Sequence, residues 1–275
     1  MKVLLIIIFF INTAIAKDLI IFDIEHKQFL SKEELLDDQS NTDIFILGEI
    51  HYHKCIQKAE AEFINWVSSR RKKEFTVGME FINYDKQAET DYWSEEYLTG
   101  AISLRTYTQK LIGNRDQDLR YAPILRETIL NGGQILGTNS PRDIKSILIQ
   151  QGYEYIPNEY KTSDFIQGST KYFQRFKSAM EGHANEEQIQ KYFLAQVYTD
   201  NYIAEKLIQK RKHPLSIQII GSFHSDYLDG LIKQLDARGE GEVTSIKFID
   251  KKKMYEYMTS HPEFGKVSHY LIGCD

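Results

Sequence analysis

Residues 44–55 read IFILGEIHYHKC, and the reading of this stretch decides the fold. Four apolar residues run into Gly48, and Glu49, His51 and His53 then follow at every second position. A short, fully apolar run closed by glycine is the pattern of a buried strand. The stretch KCIQKAEAEFINWVSSRRKK comes next, with Ile56, Ala59, Phe63 and Val67 at helical spacing, and EFTVGMEF is a second strand. Strand, helix, strand is a βαβ unit, which predicts a parallel sheet.

Working outward, residues 19–29 predict a small β-ribbon, and Ser31 with Glu34 predicts a capping box at the start of a helix. GQILGTN is a third core strand, followed by the helix RDIKSILIQQG; LSIQIIGSFH and VTSIKFI are the fourth and fifth, and SHYLIG a sixth. Two stretches carry helical spacing and no strand signal, at about 83–130 and 153–210. The expected fold class is therefore α/β, a mainly parallel central sheet flanked by helices with two helical insertions.

The chain opens MKVLLIIIFFINTAIAKD, one lysine, an apolar run and then Ala-Ile-Ala, the layout of a signal peptide cleaved after Ala16. The run is shorter than the ~20 residues a spanning helix needs, and nothing after residue 16 is apolar for long enough to cross a bilayer. Loss of Lys2 with this leader leaves 33 basic against 39 acidic side chains, a formal charge of −6. That balance argues against nucleic acid, whose binding depends on clustered cations. The expectation is an extracytoplasmic, periplasmic or otherwise exported protein. Export also permits a disulfide between Cys55 and Cys274, the two cysteines of the chain; a bond and two free thiols both remain open.

Two strands close in the same form, Gly48-x-x-His51 and Gly221-x-x-His224. A glycine at that point would let the backbone turn where a ligand approaches. VGMEF adds Glu80 and LGTN adds Asn139, so four strand ends each bring a polar side chain to the edge where open parallel sheets bind ligands. Such a set supports two chemistries. Glu49, His51, Glu80 and His224 match the donors of a hydrolytic zinc or manganese site. Without metal, His51 or His224 would serve as general base, held by Glu49 or Glu80. No His-Glu-x-x-His helix or Gly-x-Ser-x-Gly elbow is present. Farther on, Tyr192, Gln196 and Asp200 share one helix face; bracing a neighbouring element is a better account of them than ligand contact. Arg120 and Tyr121, before a proline-started helix, offer a carboxylate grip or a structural ion pair.

The blocks ILGEIHYHKCIQ, VGMEF with Gln87 after it, RYAPIL, ILGTNSPR, Gly182-His183, AQVYTDNYIA and IIGSFHSDYLDG stand in an order that resembles the ChaN-like haem-binding proteins of the Tiki superfamily, from about Leu19 to Leu231. That family is similar in core fold to the erythromycin esterases and Tiki metalloproteases, which also carry paired Gly-x-x-His motifs. The resemblance implies that residues 17–275 form one ChaN-like α/β domain with a haem-binding role in iron uptake. Haem itself, an outer-membrane haem receptor and a second copy of the chain, as a homodimer, are the partners it brings in. His183, Tyr202, Tyr52 and His53 are then the axial-ligand candidates, and Arg120, Arg175 or Lys171 would meet the propionates. The chain departs from the family where His-Asp-Asn is replaced by His51-Tyr52-His53, and where Tyr202 stands in place of a common methionine. Three readings follow: a haem carrier, a hydrolase built on the strand ends, and a scaffold that keeps them only as a hydrogen-bond network.

Overall fold

A computed structural model describes residues 19–275; the leader reading of residues 1–16 lies outside them. The chain begins with an antiparallel ribbon, β1 (Ile20–Asp23) and β2 (Gln28–Leu30), and then α1 (Lys32–Asp38), whose Ser31 cap and Glu34 form the expected capping box. The βαβ unit follows as β3 (Ile44–Glu49), α2 (Lys54–Arg71) and β4 (Thr76–Asn83). The first helical excursion contains α3 (Gln87–Leu98), α4 (Leu104–Leu111) and α5 (Ala122–Leu130). After β5 (Gln134–Asn139) and α6 (Arg142–Gln151), the second contains α7 (Thr170–Met180) and the long α8 (Glu186–Lys210). The chain closes with β6 (Ser216–Gly221), α9 (Leu231–Ala237), β7 (Val243–Asp250) and β8 (Tyr270–Cys274).

All eight strands join one sheet in the order β2-β1-β8-β7-β3-β6-β4-β5. The six strands from β8 to β5 run parallel, and only the N-terminal ribbon is antiparallel. Strand β3 lies between β7 and β6 with helices packed on both of its faces, which is why it is almost wholly apolar. Phe45 and Leu47 pack on one side against α2 and α5 residues such as Phe63 and Leu125; Ile44 and Ile46 pack on the other against Ile203 and Leu207 of α8 and Leu231 of α9. Gln87 covers the outer edge at β5, donating to the Ile135 carbonyl at 2.9 Å and accepting from the Gly137 amide at 2.8 Å, as a neighbouring strand would.

Cys55 and Cys274 are disulfide-bonded, with Cα atoms 5.8 Å apart, tying the last strand to the first turn of α2. No helix among the described residues is long and apolar enough to cross a membrane.

Candidate functional site

Strands β3 and β6 are paired in parallel with Glu49 opposite Gly221, so the two Gly-x-x-His segments leave the sheet side by side at one height. Strand β4 pairs with the other edge of β6, which brings Glu80 to the same rim. The two glycines act differently from the sequence expectation. Neither has positive φ; their lack of a side chain makes room instead. A Cβ on Gly221 would lie 2.8 Å from the His51 ring, and one on Gly48 2.6 Å from the Ser225 hydroxyl. The left-handed turn falls on Tyr52, at φ 60°, a conformation that costs a non-glycine residue energy and needs its surroundings to hold it. Arg115 donates to the Tyr52 hydroxyl at 2.9 Å, and Arg120 donates to its carbonyl.

Each histidine is held by a carboxylate. His51 Nδ1 lies 2.8 Å from Glu49 Oε1, and Glu49 is itself buried, accepting from the Tyr121 hydroxyl and from Gln57 Nε2, both at 2.5 Å. His224 Nδ1 lies 2.6 Å from Asp200 Oδ1, and Asp200 accepts at its other oxygen from the Tyr172 hydroxyl at 2.9 Å. Gln196 Nε2 donates to that hydroxyl and lies over the His224 ring, 2.9 and 3.1 Å from its nitrogens. With both Nδ1 atoms engaged, the Nε2 atoms turn toward Glu80, at 4.0 Å from His51 and 3.6 Å from His224. Glu80 Oε2 also accepts from the Gly221 amide at 2.7 Å, and Asn139 donates to the Glu80 carbonyl at 3.0 Å.

The electrostatics follow from this arrangement. Burial lowers the proton affinity of His51, but the Glu49 hydrogen bond and the charges of Glu80 and Glu49 outweigh it and raise its pKa. His224 is raised in the same way, burial being overcome by Asp200 and Glu80. Burial pushes Glu80 up, and the two imidazoles with the Gly221 amide bring it below its ordinary value. For Asp200 burial wins over His224, and its pKa rises. Beneath Glu49, Glu60 is fully buried; burial and the neighbouring Glu49 push its carboxyl well above the usual range, and no N–H or O–H donor reaches it. Both effects favour its protonated form. Lys145 faces the same region; burial lowers its pKa against the pull of Glu80 and Asp200.

A cleft of about 440 Å³ lies over the two histidines, walled by Ile50, Phe176, Ala179, Met180 and Phe223, with His51, Gln196 and His224 at its floor. The His51 side chain is 39 % exposed and that of His224 11 %. Glu49, His51, Glu80 and His224 thus come together, with Asn139 behind them. Among the described residues no group of three or more His, Cys, Asp or Glu is disposed to hold a metal ion. The haem-ligand candidates do not gather there. Tyr202 is 1 % exposed inside a cluster with Ile144 and Tyr198, out of reach of a ligand. The Tyr52 hydroxyl is taken by Arg115. His53 starts α2 without a side-chain cap, its Nδ1 buried and unpartnered. His183 is exposed, three residues beyond the Met180 that lines the cleft. Arg120 is exposed beside Tyr52.

The sequence reading missed Gln57, Glu60, Tyr172 and Lys145. The signal for the first two was present: both lie on the buried face of α2, where a polar side chain must find a buried partner. Gln196 and Asp200 do brace a neighbouring element, and that element is His224 itself.

Comparison with known proteins agrees with this architecture. The ChaN of Campylobacter jejuni, solved for cofacial haem binding, superposes with a TM-score of 0.72 at 17 % identity, over 94 % of this chain and 98 % of that one. The type III effector HopBA1 matches with a TM-score of 0.50 at 12 % identity, over 88 % of this chain and 92 % of that one. Erythromycin esterase EreC matches with a TM-score of 0.45 at 15 % identity, over 83 % and 76 %. At 17 % identity the likeness to the ChaN structure shows the fold alone. A comparison with curated protein sequences finds no match. The sequence model of one family, described as "Haem-binding uptake, Tiki superfamily, ChaN", matches residues 35–235, most of the chain, and the protein belongs to that family.

Proposed function

We propose that this chain is an exported haem-binding protein of haem or iron uptake, taking the porphyrin in the cleft above β3 and β6. The observation that carries the reading is the cleft itself: an apolar slot of about 440 Å³ with a half-exposed imidazole at its floor. Haem asks for an apolar slot and an axial donor. His51 fits as donor, because Glu49 holds Nδ1 and leaves Nε2 for iron, the arrangement that orients metal-binding histidines generally. Bound there, haem would supply the iron centre, and this chain's residues would orient it and exclude water. His183 follows the helix that walls the cleft and is the second donor candidate. The cleaved leader, a periplasmic location, an outer-membrane receptor and a homodimer belong to the same proposal. Absorbance titration with haem tests it: a Soret band at one equivalent is expected, weakened at least tenfold in His51→Ala by loss of a ligand worth over ~1.4 kcal/mol. No band in the wild type sinks it.

A second reading has its own observation. Two carboxylate-held imidazoles facing one carboxylate, Glu80, form an acid/base set able to activate water. A hydrolase of this kind would use His224, held by Asp200, as base. Ester or amide turnover lost in both His224→Ala and Asp200→Asn supports it, and elemental analysis for zinc or manganese tests the metal form.

A further inference from the structure

Beside the cleft lies a second hollow, of about 340 Å³, and successive residues of α7 face the two: Phe176 the cleft, Arg175 the hollow. Lys171 and Lys233 join Arg175 in lining it. Arg175 is 9 % exposed, its guanidinium carbon 4.3 Å from the Phe223 ring centre, 5.0 Å from Tyr172 and 5.2 Å from Tyr227. Of its five N–H donors, one hydrogen bond is made, to the Phe223 carbonyl at 3.2 Å. Among the described residues it has no carboxylate partner within 4 Å. Asp226, pushed up by burial and drawn down in part by the Arg175 charge, is already paired with Lys247 at 2.7 Å. Aromatic faces help a desolvated cation but leave its in-plane donors unused.

The one acid in the hollow does not answer for them. Asp229 accepts from the Ser169 hydroxyl at 2.5 Å and the Gly230 amide at 3.0 Å. Lys171 donates to a carbonyl, that of Glu263, at 2.8 Å. Ser169 caps α7, so the positive end of that helix also opens here. A buried cation normally has a partner, since taking an unpaired charge out of water is unfavourable. We infer that this hollow is an oxyanion site, taking a carboxylate or phosphate group on the planar donors of Arg175 with Lys171 and Lys233 at its rim. The inference does not rest on haem binding. The group is either a free oxyanion or the acidic end of a ligand lying in the adjoining cleft.

Calorimetric titration of the whole protein with inorganic phosphate tests it. Binding is expected in the wild type, weakened ~10-fold or more in Arg175→Gln by loss of a charged hydrogen bond. Lys171→Gln/Lys233→Gln, at two exposed positions, keeps the test open if Arg175→Gln does not fold, and should weaken phosphate several-fold. Phosphate that does not bind, or binds the double variant as tightly as the wild type, overturns the inference. Repeating the titration with haem and with its dimethyl ester identifies the source. Competition by haem but not by the ester assigns the site to carboxylates of a cleft ligand, and no competition by either assigns it to a separate oxyanion.

Discussion

Replacing Gly221 by alanine should disable the site while leaving the fold standing. Gly221 has φ −55° and ψ 132°, which any residue adopts, so the backbone does not object. The added methyl would lie 2.8 Å from both Cε1 and Nε2 of His51, a separation that forces something to move. The ring is the mobile partner, being 39 % exposed, and moving it breaks the 2.8 Å contact with Glu49. A hydrogen bond to a charged group contributes ~1.5–3 kcal/mol, and partial exposure discounts it to about 1 kcal/mol. For a chain of this size that is a melting shift of about 2–4 °C. The pH dependence fixes the cause. His51 has a raised pKa in the folded state, so its contribution is fully present below the unfolded value of ~6.5 and is lost as pH rises through the folded value. Gly221→Ala should therefore cost most at pH 5–6 and least at pH 9, and haem affinity should fall as far as in His51→Ala. Thermal melts across pH, with His51→Ala as reference, measure both. A pH-independent loss, or unchanged haem binding in a folded variant, refutes the reasoning.

Reduction of the Cys55–Cys274 bond, which spans 219 residues, should cost up to about 5 kcal/mol by the loop-entropy argument, read as a lower urea midpoint in dithiothreitol; coincident midpoints would contradict it. Burial and Glu49 raise the pKa of Glu60 in the fold, so stability is lost as pH rises above its unfolded value; Glu60→Gln should gain on the wild type from pH 5 to 8 and match it at pH 4, and the reverse trend would refute the upward shift. Removal of Gln87 exposes the Ile135 carbonyl and Gly137 amide at the β5 edge, so Gln87→Ala should lose ~1–2 kcal/mol and aggregate sooner by light scattering; unaltered behaviour would mean that water serves as well.

Much of the architecture was readable because its causes are local. The apolar run before Gly48, the helical spacing of Ile56 to Val67 and the Ser31–Glu34 box each appear where their pattern put them. The meeting of His51, Glu80 and His224 followed from strand ends sharing one rim. The partner of His224 did not follow. Glu49 was legible from two residues away, but Asp200 reaches His224 from a separate helix, and only the crossing of α8 over the sheet sets that pairing. Tyr202 shows the same limit, since a resemblance of motifs marks a position without saying whether it meets core or cleft.

The sequence by itself thus determined the kinds of element, their parallel assembly and the chemical groups at the strand ends, because side-chain periodicity and glycine placement act over a few residues. Tertiary structure alone decided that Gly221 is glycine to admit an imidazole, that Cys55 meets Cys274, that Glu60 is buried beside Glu49 with its pKa raised and that Arg175 is buried without a carboxylate. Those outcomes depend on distances between segments far apart in the chain and on how much water is left around each charge, and neither is set until the helices are packed.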